Sequence, residues 1–202
     1  MPVLAAIDLA CRRGDRILFK GLQLHVHAGQ VVWLRGANGR GKTSLLRLLA
    51  GLSTPEAGQV RWASTPRQLV YIAHANALKE DLTVLESLRF LAHLHGRNES
   101  DASLVEALQL FGMASRRQAP VRTLSQGQRR RVALSRLAIG TAPSVWILDE
   151  PFDSLDTEGI ATLNALLTRH AARGGSVVLT SHQALTLGEP EPVVVQLDEV
   201  AA

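Results

Sequence analysis

The pattern G-x-x-x-x-G-K-T between Gly36 and Thr43 constrains this chain more than any other feature. An apolar run at residues 31–34 leads into the pattern as a buried strand would, and residues 44–50 follow with helical spacing. The glycines let backbone N–H groups converge on phosphate oxygens, and the N-terminus of the following helix favours the same negative charge. The sequence therefore predicts a strand, a phosphate-binding loop and a helix, in that order.

Individual positions of this loop have predicted roles. Lys42 is expected to place its positive charge beside the β- and γ-phosphates of a nucleotide, and the Thr43 hydroxyl is expected to bind Mg²⁺. A glycine-rich turn before an ordinary helix is the alternative, which the combined strand, loop and helix signals disfavour. The predicted nucleotide-binding residues here are Gly36, Ala37, Asn38, Gly39, Arg40, Gly41, Lys42, Thr43 and Ser44.

Length and composition allow a full hydrophobic core. The chain has 202 residues, of which 46% are hydrophobic, enough for one α/β domain or for a core with a small subdomain. No apolar run reaches the roughly 20 residues of a membrane span, and the N-terminus lacks a signal-peptide pattern. From these two observations we expect a cytosolic protein. The single cysteine, Cys11, cannot form an internal disulfide, which fits a reducing compartment but does not establish one. The net charge of +4 would suit nucleic acid, an anionic membrane surface or neither, so its sign alone decides nothing.

Strand and helix patterns alternate along the chain. Short strands are predicted at residues 60–62 and 69–72, and the apolar runs at 145–148 and 177–179 are typical of parallel strands covered on both faces. Helical spacing extends from about residue 82 to 139, and a further helix is expected from about Thr157 to Ala172. One apolar face is predicted to carry Leu82, Leu85, Leu88 and Leu91. This alternation predicts an α/β fold with a parallel sheet and an inserted helical subdomain.

The apolar run 146–148 ends in two acids, Asp149 and Glu150. At the tip of a strand, Asp149 is placed to hold the same Mg²⁺ as Thr43. Glu150 lies one residue further and points elsewhere, so it is the candidate to polarise the water that attacks the γ-phosphate. Two acids after a strand are often structural or solvated, but the upstream phosphate loop favours the catalytic interpretation.

A second anion site is predicted at residues 124–128, L-S-Q-G-Q. Ser125 is a good N-cap, and the residues after Gln128 are expected to form a helix with apolar positions at Val132, Leu134 and Leu137. Three arginines follow Gln128 directly. A charge run of this kind usually marks a solvated face, and it indicates nucleic acid only weakly.

Taken in order, the motifs resemble those of the nucleotide-binding subunits of ATP-binding-cassette (ABC) transporters. The likeness covers nearly the whole chain, and it rests on residues 36–43, 124–128, 147–150 and 153–156 and on His182. It implies an ABC-type P-loop NTPase: α/β, with a mostly parallel core sheet, an N-terminal antiparallel β region and an inserted helical subdomain. The resemblance makes residues 1–202 a single ATPase domain. Residues 1–75 and 140–202 would form its RecA-like core with the β region, and residues from about 76 to 139 the helical subdomain.

The resemblance also implies a composite site. In this family two subunits pack head to tail, and each ATP with its Mg²⁺ lies between one subunit's phosphate loop and the other's signature motif. A second copy of this chain is thus an expected partner. Ser125, Gly127 and Gln128 would contact the γ-phosphate of the ATP that this second copy holds in its phosphate loop. Glu150 and His182, the latter matching the histidine that senses γ-phosphate, are the implied catalytic residues. Asp156 belongs to a loop that communicates across the dimer.

A finer resemblance points to the ATP-binding subunits of haem exporters of cytochrome c maturation, the CcmA type. It rests on residues 71–74 with 82–90, 128–137, 146–156 and 179–183. It implies ATP hydrolysis that powers haem export or release for c-type cytochromes, with CcmB/CcmC-like permease subunits as partners and no nucleic acid. The implied location is peripheral, on the cytoplasmic face of the bacterial inner membrane. Another ABC exporter or importer, a soluble non-transport ABC ATPase and a nucleotide-binding module without turnover remain alternatives.

Three positions depart from the general ABC pattern. Arg13 stands where an aromatic residue commonly stacks on adenine, and Gln126 replaces the first glycine of the signature motif. His74 stands where a glutamine links the ATP site to the membrane partner, so we expect it to serve coupling more than nucleotide affinity. His93 and His95 are not expected to form one ligand pair, because two positions apart on a helix their side chains point about 200° apart.

Overall fold

The computed structural model describes residues 1–64, 68–140 and 142–200. Within these ranges the strands are β1 (Leu4–Arg13), β2 (Arg16–Val26), β3 (Val31–Arg35), β4 (Ala57–Trp62), β5 (Leu69–Ile72), β6 (Val145–Leu148), β7 (Ser176–Thr180) and β8 (Val193–Gln196). The helices are α1 (Lys42–Leu49), α2 (Val84–Leu94), α3 (Asp101–Leu110), α4 (Gln126–Ser135) and α5 (Thr157–Ala172). The chain divides into two compact units. The first contains Met1–Tyr71, Pro143–Glu150 and Leu167–Ala202, and the second contains Ile72–Ala142 and Pro151–Leu166.

The N-terminal region is an antiparallel sheet with strand order β2-β1-β4. Leu4 in the central strand pairs with Val26 on one side and with Trp62 on the other. Leu4 and Val26 are fully buried, so the register turns one face of this sheet into the core. The predicted antiparallel β region is therefore confirmed.

The larger sheet has the strand order β5-β6-β7-β3-β8. β3 pairs in parallel with β7 and β8, and β6 pairs in parallel with β7. Every residue of β6 and β7 is buried, as the continuous apolar runs predicted. In such a sheet the loops that follow β3, β6 and β7 leave from the same edge. The fold thus gathers at one edge the three chain segments that carry the phosphate loop, Asp149 with Glu150, and His182.

Helix α1 closes the phosphate loop and packs into the core of the first unit. Its buried face carries Leu45, Leu46, Leu48 and Leu49. The helix ends before Gly51, which adopts a φ of 74°, and the Leu52 N–H donates to the Arg47 carbonyl at 2.8 Å. This buried, capped helix holds the loop before it in a fixed place.

Helices α2, α3 and α4 form a separate core in the second unit, around Val84, Leu88, Leu104, Leu108 and Val132. One predicted detail is wrong, since Leu82 does not share the α2 face. Thr83 is the N-cap, held in a capping box with Glu86, so the helix begins after Leu82. In the described ranges no helix combines the length and apolarity that a membrane crossing requires.

Candidate nucleotide-binding and catalytic site

The phosphate loop leads directly into α1. Gly41 is the N-cap with a φ of 95°, so the first helical residue is Lys42, and the N–H groups of the first turn have no partner within the helix. A β-carbon on Gly41 would lie 3.1 Å from Leu18 and 3.2 Å from the Phe19 ring, so a side chain there would make tight contacts in a backbone conformation that already favours glycine. The Lys42 ammonium donates to the Gly36 carbonyl at 2.6 Å and therefore lies across the loop.

Thr43 and Asp149 come together although 106 positions separate them. The Thr43 hydroxyl donates to the Asp149 carboxylate at 2.9 Å, and Asp149 is 3% exposed. A hydroxyl and a carboxylate are hard oxygen donors of the kind that Mg²⁺ uses beside waters and substrate phosphates. The two side chains therefore fit the donor set of a Mg²⁺-nucleotide site.

Glu150 and His182 form a second pair at this edge of the sheet. Glu150 has a φ of 47°, which an L residue adopts at a cost, and this turn directs its side chain away from that of Asp149. One carboxylate oxygen accepts the His182 backbone N–H at 3.0 Å, and the other lies 3.6 Å from His182 Nε2. The structure thus brings together the two residues predicted to be catalytic.

Thr180 is a site residue that the sequence did not reveal. Its fully buried hydroxyl donates to Asp149 at 3.0 Å and accepts the Glu150 N–H at 2.9 Å. Leu148 pairs with Leu179 in parallel strands, and this register carries Thr180 to the position beside the two acids. In the sequence, Thr180 is only a polar residue at the end of an apolar run. Its role in the site can be inferred only when β6 and β7 are known to be neighbouring strands.

Asp198 is the other residue that the sequence did not reveal. Its carboxylate accepts the Ala37 N–H at 3.1 and 3.3 Å and pairs with Arg40 Nε at 3.0 Å. It lies on the rim of a cavity of about 410 Å³ that Gly36, Lys42 and His182 also line. No motif marks this aspartate, because it lies far along the chain from the loop that it contacts.

The hairpin expected to meet adenine presents no aromatic side chain. Arg13 is exposed at the end of β1, where it pairs with Arg16 across the turn. Phe19, the next aromatic residue along the chain, is fully buried and packs beneath Gly41. Phe19 therefore does not replace the adenine-stacking aromatic residue that is missing at Arg13.

The second unit holds the predicted signature segment at the N-terminus of α4. Ser125 is the N-cap, and its side chain and that of Gln128 form a reciprocal capping box. The helix begins at Gln126 rather than after Gln128, so our predicted start is corrected by one turn. This places Gly127 and Gln128 in the first turn, whose N–H groups have no partner within the helix, and the Gln128 N–H donates to the Ser125 hydroxyl at 3.3 Å.

Gly127 has no room for a side chain, because the backbone of the loop at Ser154 lies directly against it. A β-carbon at this position would lie 2.7 Å from the Ser154 carbonyl oxygen, closer than any normal contact. Ser154 itself has a φ of 63°, so the loop that crosses Gly127 is strained as well as close. Gln126 is exposed, which explains why a side chain is accommodated there.

The three arginines after Gln128 do not form the solvated face that we predicted. Arg129 binds Glu80 at 2.7 Å, Arg130 is 2% exposed, and Arg131 pairs with Asp156. Arg130 donates to the carbonyls of Pro151 at 3.2 Å and Ala73 at 3.0 Å and to the Asn76 amide oxygen at 3.1 Å. Arg130 is buried and Arg129 and Arg131 are partly buried, because α4 lies among several segments whose carbonyls and carboxylates accept their hydrogen bonds.

Asp156 and His74 are each tied to a neighbour within the second unit. The pKa of Asp156 is held below its usual value by the Gly159 backbone N–H, which donates at 2.9 Å, and then by Arg131. His74 Nδ1 lies 3.6 Å from the Asp153 carboxylate, and both line a cavity of about 370 Å³ with Gln126 and Arg129. The loop that carries His74 therefore faces the loop that carries Asp153.

His93 and His95 have separate partners, as their spacing predicted. His93 Nε2 lies 3.1 Å from the Asn98 amide oxygen, whereas His95 Nε2 lies 3.1 Å from an Arg136 nitrogen. Burial, followed by the charges of Arg136 and Arg97, lowers the pKa of His95. Burial also lowers the pKa of Arg136 to about 10, so at neutral pH a neutral imidazole accepts from a charged guanidinium.

Comparisons with known proteins show the family of this chain. The sequence profile of the family described as ABC transporter matches residues 19–153. A protein of Aromatoleum aromaticum, named cytochrome c biogenesis ATP-binding export protein CcmA, is 49% identical over 100% of this chain and 98% of its own length. The protein of the same name from Vibrio cholerae is 42% identical over 91% of this chain and 93% of its own.

Solved structures give the same result for the fold. The ATP-binding subunit of an ABC transporter superposes with a TM-score of 0.80 and 28% identity, covering 89% of this chain and 79% of that chain. A dimeric ATP-binding cassette in a post-hydrolysis state, bound to ADP and Pi, has a TM-score of 0.75 at 21% identity over 89% of this chain and 88% of its own. The predicted ABC-type α/β fold is confirmed. The chain belongs to the ABC transporter family and, within it, to the family of cytochrome c biogenesis ATP-binding export proteins.

Proposed function

We propose that this protein is the ATP-hydrolysing subunit of an ABC exporter complex and that its hydrolysis powers haem export or release for c-type cytochrome maturation. The observation that carries the ATPase assignment is the convergence of Thr43 with Asp149 and of Glu150 with His182 beside the phosphate loop. The names of the full-length relatives support the cytochrome c role.

In the proposed reaction the loop binds the nucleotide before any bond breaks. The N–H groups at the start of α1 and the Lys42 ammonium, now on the Gly36 carbonyl, would bind the β- and γ-phosphate oxygens. Thr43 and Asp149 would hold Mg²⁺, which neutralises charge on the phosphates when it is bound. The hydrogen bond between these two side chains keeps both oxygens at one position in the free protein.

Glu150 is then placed to orient the attacking water. Its carboxylate can accept a hydrogen bond from a water whose oxygen forms a bond to the γ-phosphorus while the bond to the β-γ bridging oxygen breaks. His182 lies beside the same carboxylate and would bind the γ-phosphate with its imidazole. The products are ADP and phosphate, and the water's proton leaves by way of Glu150 or the released phosphate.

A second copy of the chain would complete each site. Ser125, Gly127 and Gln128 lie at a helix N-terminus in the second unit, and in head-to-tail symmetry this N-terminus would meet the γ-phosphate held by the other subunit. The remaining proposed partners are CcmB/CcmC-like permease subunits, which would hold the protein at the cytoplasmic face of the bacterial inner membrane. We propose a single ATPase domain with residues from about 76 to 139 as its helical subdomain.

The Glu150→Gln variant tests the hydrolytic mechanism. It should bind ATP with nearly normal affinity, lose turnover by about 100-fold or more, and accumulate an ATP-bound dimer, because the amide no longer accepts the water's proton. Glu106→Gln, a change of the same chemistry on the exposed side of α3, is the matched control and should hydrolyse ATP normally. Turnover at the wild-type rate by Glu150→Gln would remove Glu150 from this role.

The cellular role has a separate test. Cells that lack this protein should fail to attach haem covalently to c-type cytochromes while they still make haem and b-type cytochromes. Normal attachment in a clean deletion without a duplicate gene would overturn the cargo assignment and leave an ABC transporter ATPase with another substrate.

A further inference from the structure

The carboxylate of Asp198 holds the first turn of the phosphate loop. It accepts the Ala37 N–H with both oxygens, at 3.1 and 3.3 Å, and it pairs with Arg40 Nε at 3.0 Å. Between these two contacts the chain makes a tight turn, in which the Arg40 N–H donates to the Ala37 carbonyl at 3.3 Å. One carboxylate therefore bridges both ends of the turn.

The strand β8 brings the segment that carries this carboxylate to the phosphate loop. β8 pairs in parallel with β3, the strand that leads into the loop, and the last pair is Arg35 with Gln196. The strand ends there, and a short 3-10 helix, Leu197–Val200, follows it and carries Asp198 beside Ala37. Leu197 is buried, with 1% of its surface exposed, and anchors the segment at this point. The carboxylate is thus carried by a residue that directly follows one buried in the core of the first unit.

We propose that Asp198 is a positioning residue that holds residues 37–40 in the conformation that receives the phosphates of the nucleotide, an assignment that rests on the proposed ATPase function. A loop built to bind an anion carries converging N–H groups and positive charge, so without an anion it tends to relax. Asp198 satisfies one N–H and one cation on the turn. Residues 37–40 then have the conformation that nucleotide binding requires before the nucleotide arrives, which lowers the entropic cost of binding.

This role predicts a change in affinity and not in the chemical step. Asp198→Ala should weaken binding of MgATP by about 5- to 30-fold, the effect of losing one charge-assisted hydrogen bond with a partly exposed ion pair. kcat should stay within about twofold, because Asp198 acts through Ala37 and Arg40, and neither residue is proposed to orient the attacking water. Asp198→Asn should fall between wild type and Asp198→Ala, because its amide oxygen can still accept the Ala37 N–H but has no charge for Arg40.

The experiment combines calorimetric titration with MgATP, steady-state ATPase kinetics and amide hydrogen exchange on the full chain. Glu191→Ala is the matched control, since it removes an exposed carboxylate from the segment before β8 and should bind MgATP as wild type does. In the nucleotide-free protein, the Ala37 amide should exchange faster in Asp198→Ala than in wild type. This exchange measurement reports on the loop without depending on catalysis.

The possible outcomes separate the two proposals. Weaker MgATP binding with preserved kcat and faster Ala37 exchange supports the assignment of Asp198. Wild-type affinity in Asp198→Ala, or a loss confined to kcat, overturns that assignment and leaves the ATPase function standing. Absence of MgATP binding by wild type would overturn the ATPase function and this assignment with it. If Asp198→Ala does not fold, the same comparisons decide with Asp198→Asn.

Discussion

Replacing Thr180 with valine removes a hydroxyl group from the centre of the site while nearly preserving its shape. The lost hydrogen bond to the buried Asp149 carboxylate corresponds to about 1.5–3 kcal/mol, and the Glu150 N–H left without its acceptor adds about 1–3 kcal/mol. Partial relaxation reduces the sum, so we expect a net destabilisation of about 3 kcal/mol. In a chain of 202 residues this lowers Tm by about 6–12 °C.

The same change should impair catalysis, because Thr180 orients both the proposed metal ligand and the proposed general base. We expect kcat of Thr180→Val to fall about 10- to 100-fold. Thr180→Ser is the matched control, since it keeps the hydroxyl and loses only a methyl group, and it should retain most of the rate and of Tm. Calorimetry and a coupled ATPase assay measure both effects. A Thr180→Val protein with Tm within 2 °C of wild type and unchanged kcat would refute the reasoning.

Three further predictions concern the second unit and the dimer. Gly127→Ala should lower Tm even without nucleotide, by about 4–10 °C, because its β-carbon meets the Ser154 carbonyl at 2.7 Å; an unchanged Tm in a thermal melt would contradict this packing. His74→Ala should leave ATP binding within a few-fold of wild type but reduce stimulation of the ATPase by the permease. His74→Gln is the control and should retain much of the ATPase rate. If His74→Ala is stimulated by the permease as strongly as wild type, His74 has only a packing role. When subunits carrying Lys42→Ala are mixed with subunits carrying Ser125→Arg, each heterodimer should have at most one intact composite site. Either variant on its own should have no intact site, so full ATPase activity from one variant alone would exclude the head-to-tail arrangement.

Much of the site could be predicted from sequence because its parts are local. Residues 36–43 carry their own loop conformation, since glycines and a helix start determine it within a few positions. The acids that end the run 145–148 are likewise defined by the strand before them. The cap at Ser125 and the α5 boundaries at Thr157 and Ala172 followed from residue types at adjacent positions.

The errors arose where a local pattern met a tertiary constraint. The arginines after Gln128 look like a solvated run, yet Arg130 is buried, because carbonyls from Ala73 and Pro151 converge on it. Leu82 fits the helical spacing, but the Thr83 capping box places it outside α2. In both cases the contacts that decide the structure involve residues outside the sequence pattern on which the prediction was based.

The sequence by itself determined that this chain has a phosphate-binding loop, two acids after an apolar strand, and a capped helix with a glycine in its first turn. Tertiary structure decided which residues support these parts. Thr180 and Asp198 reach the site through the strand order β6-β7-β3-β8, and Gly127 is required by a loop that crosses it. The physical reason is that sequence periodicity reports how one segment is solvated, whereas strand order and register depend on contacts between segments far apart in the chain.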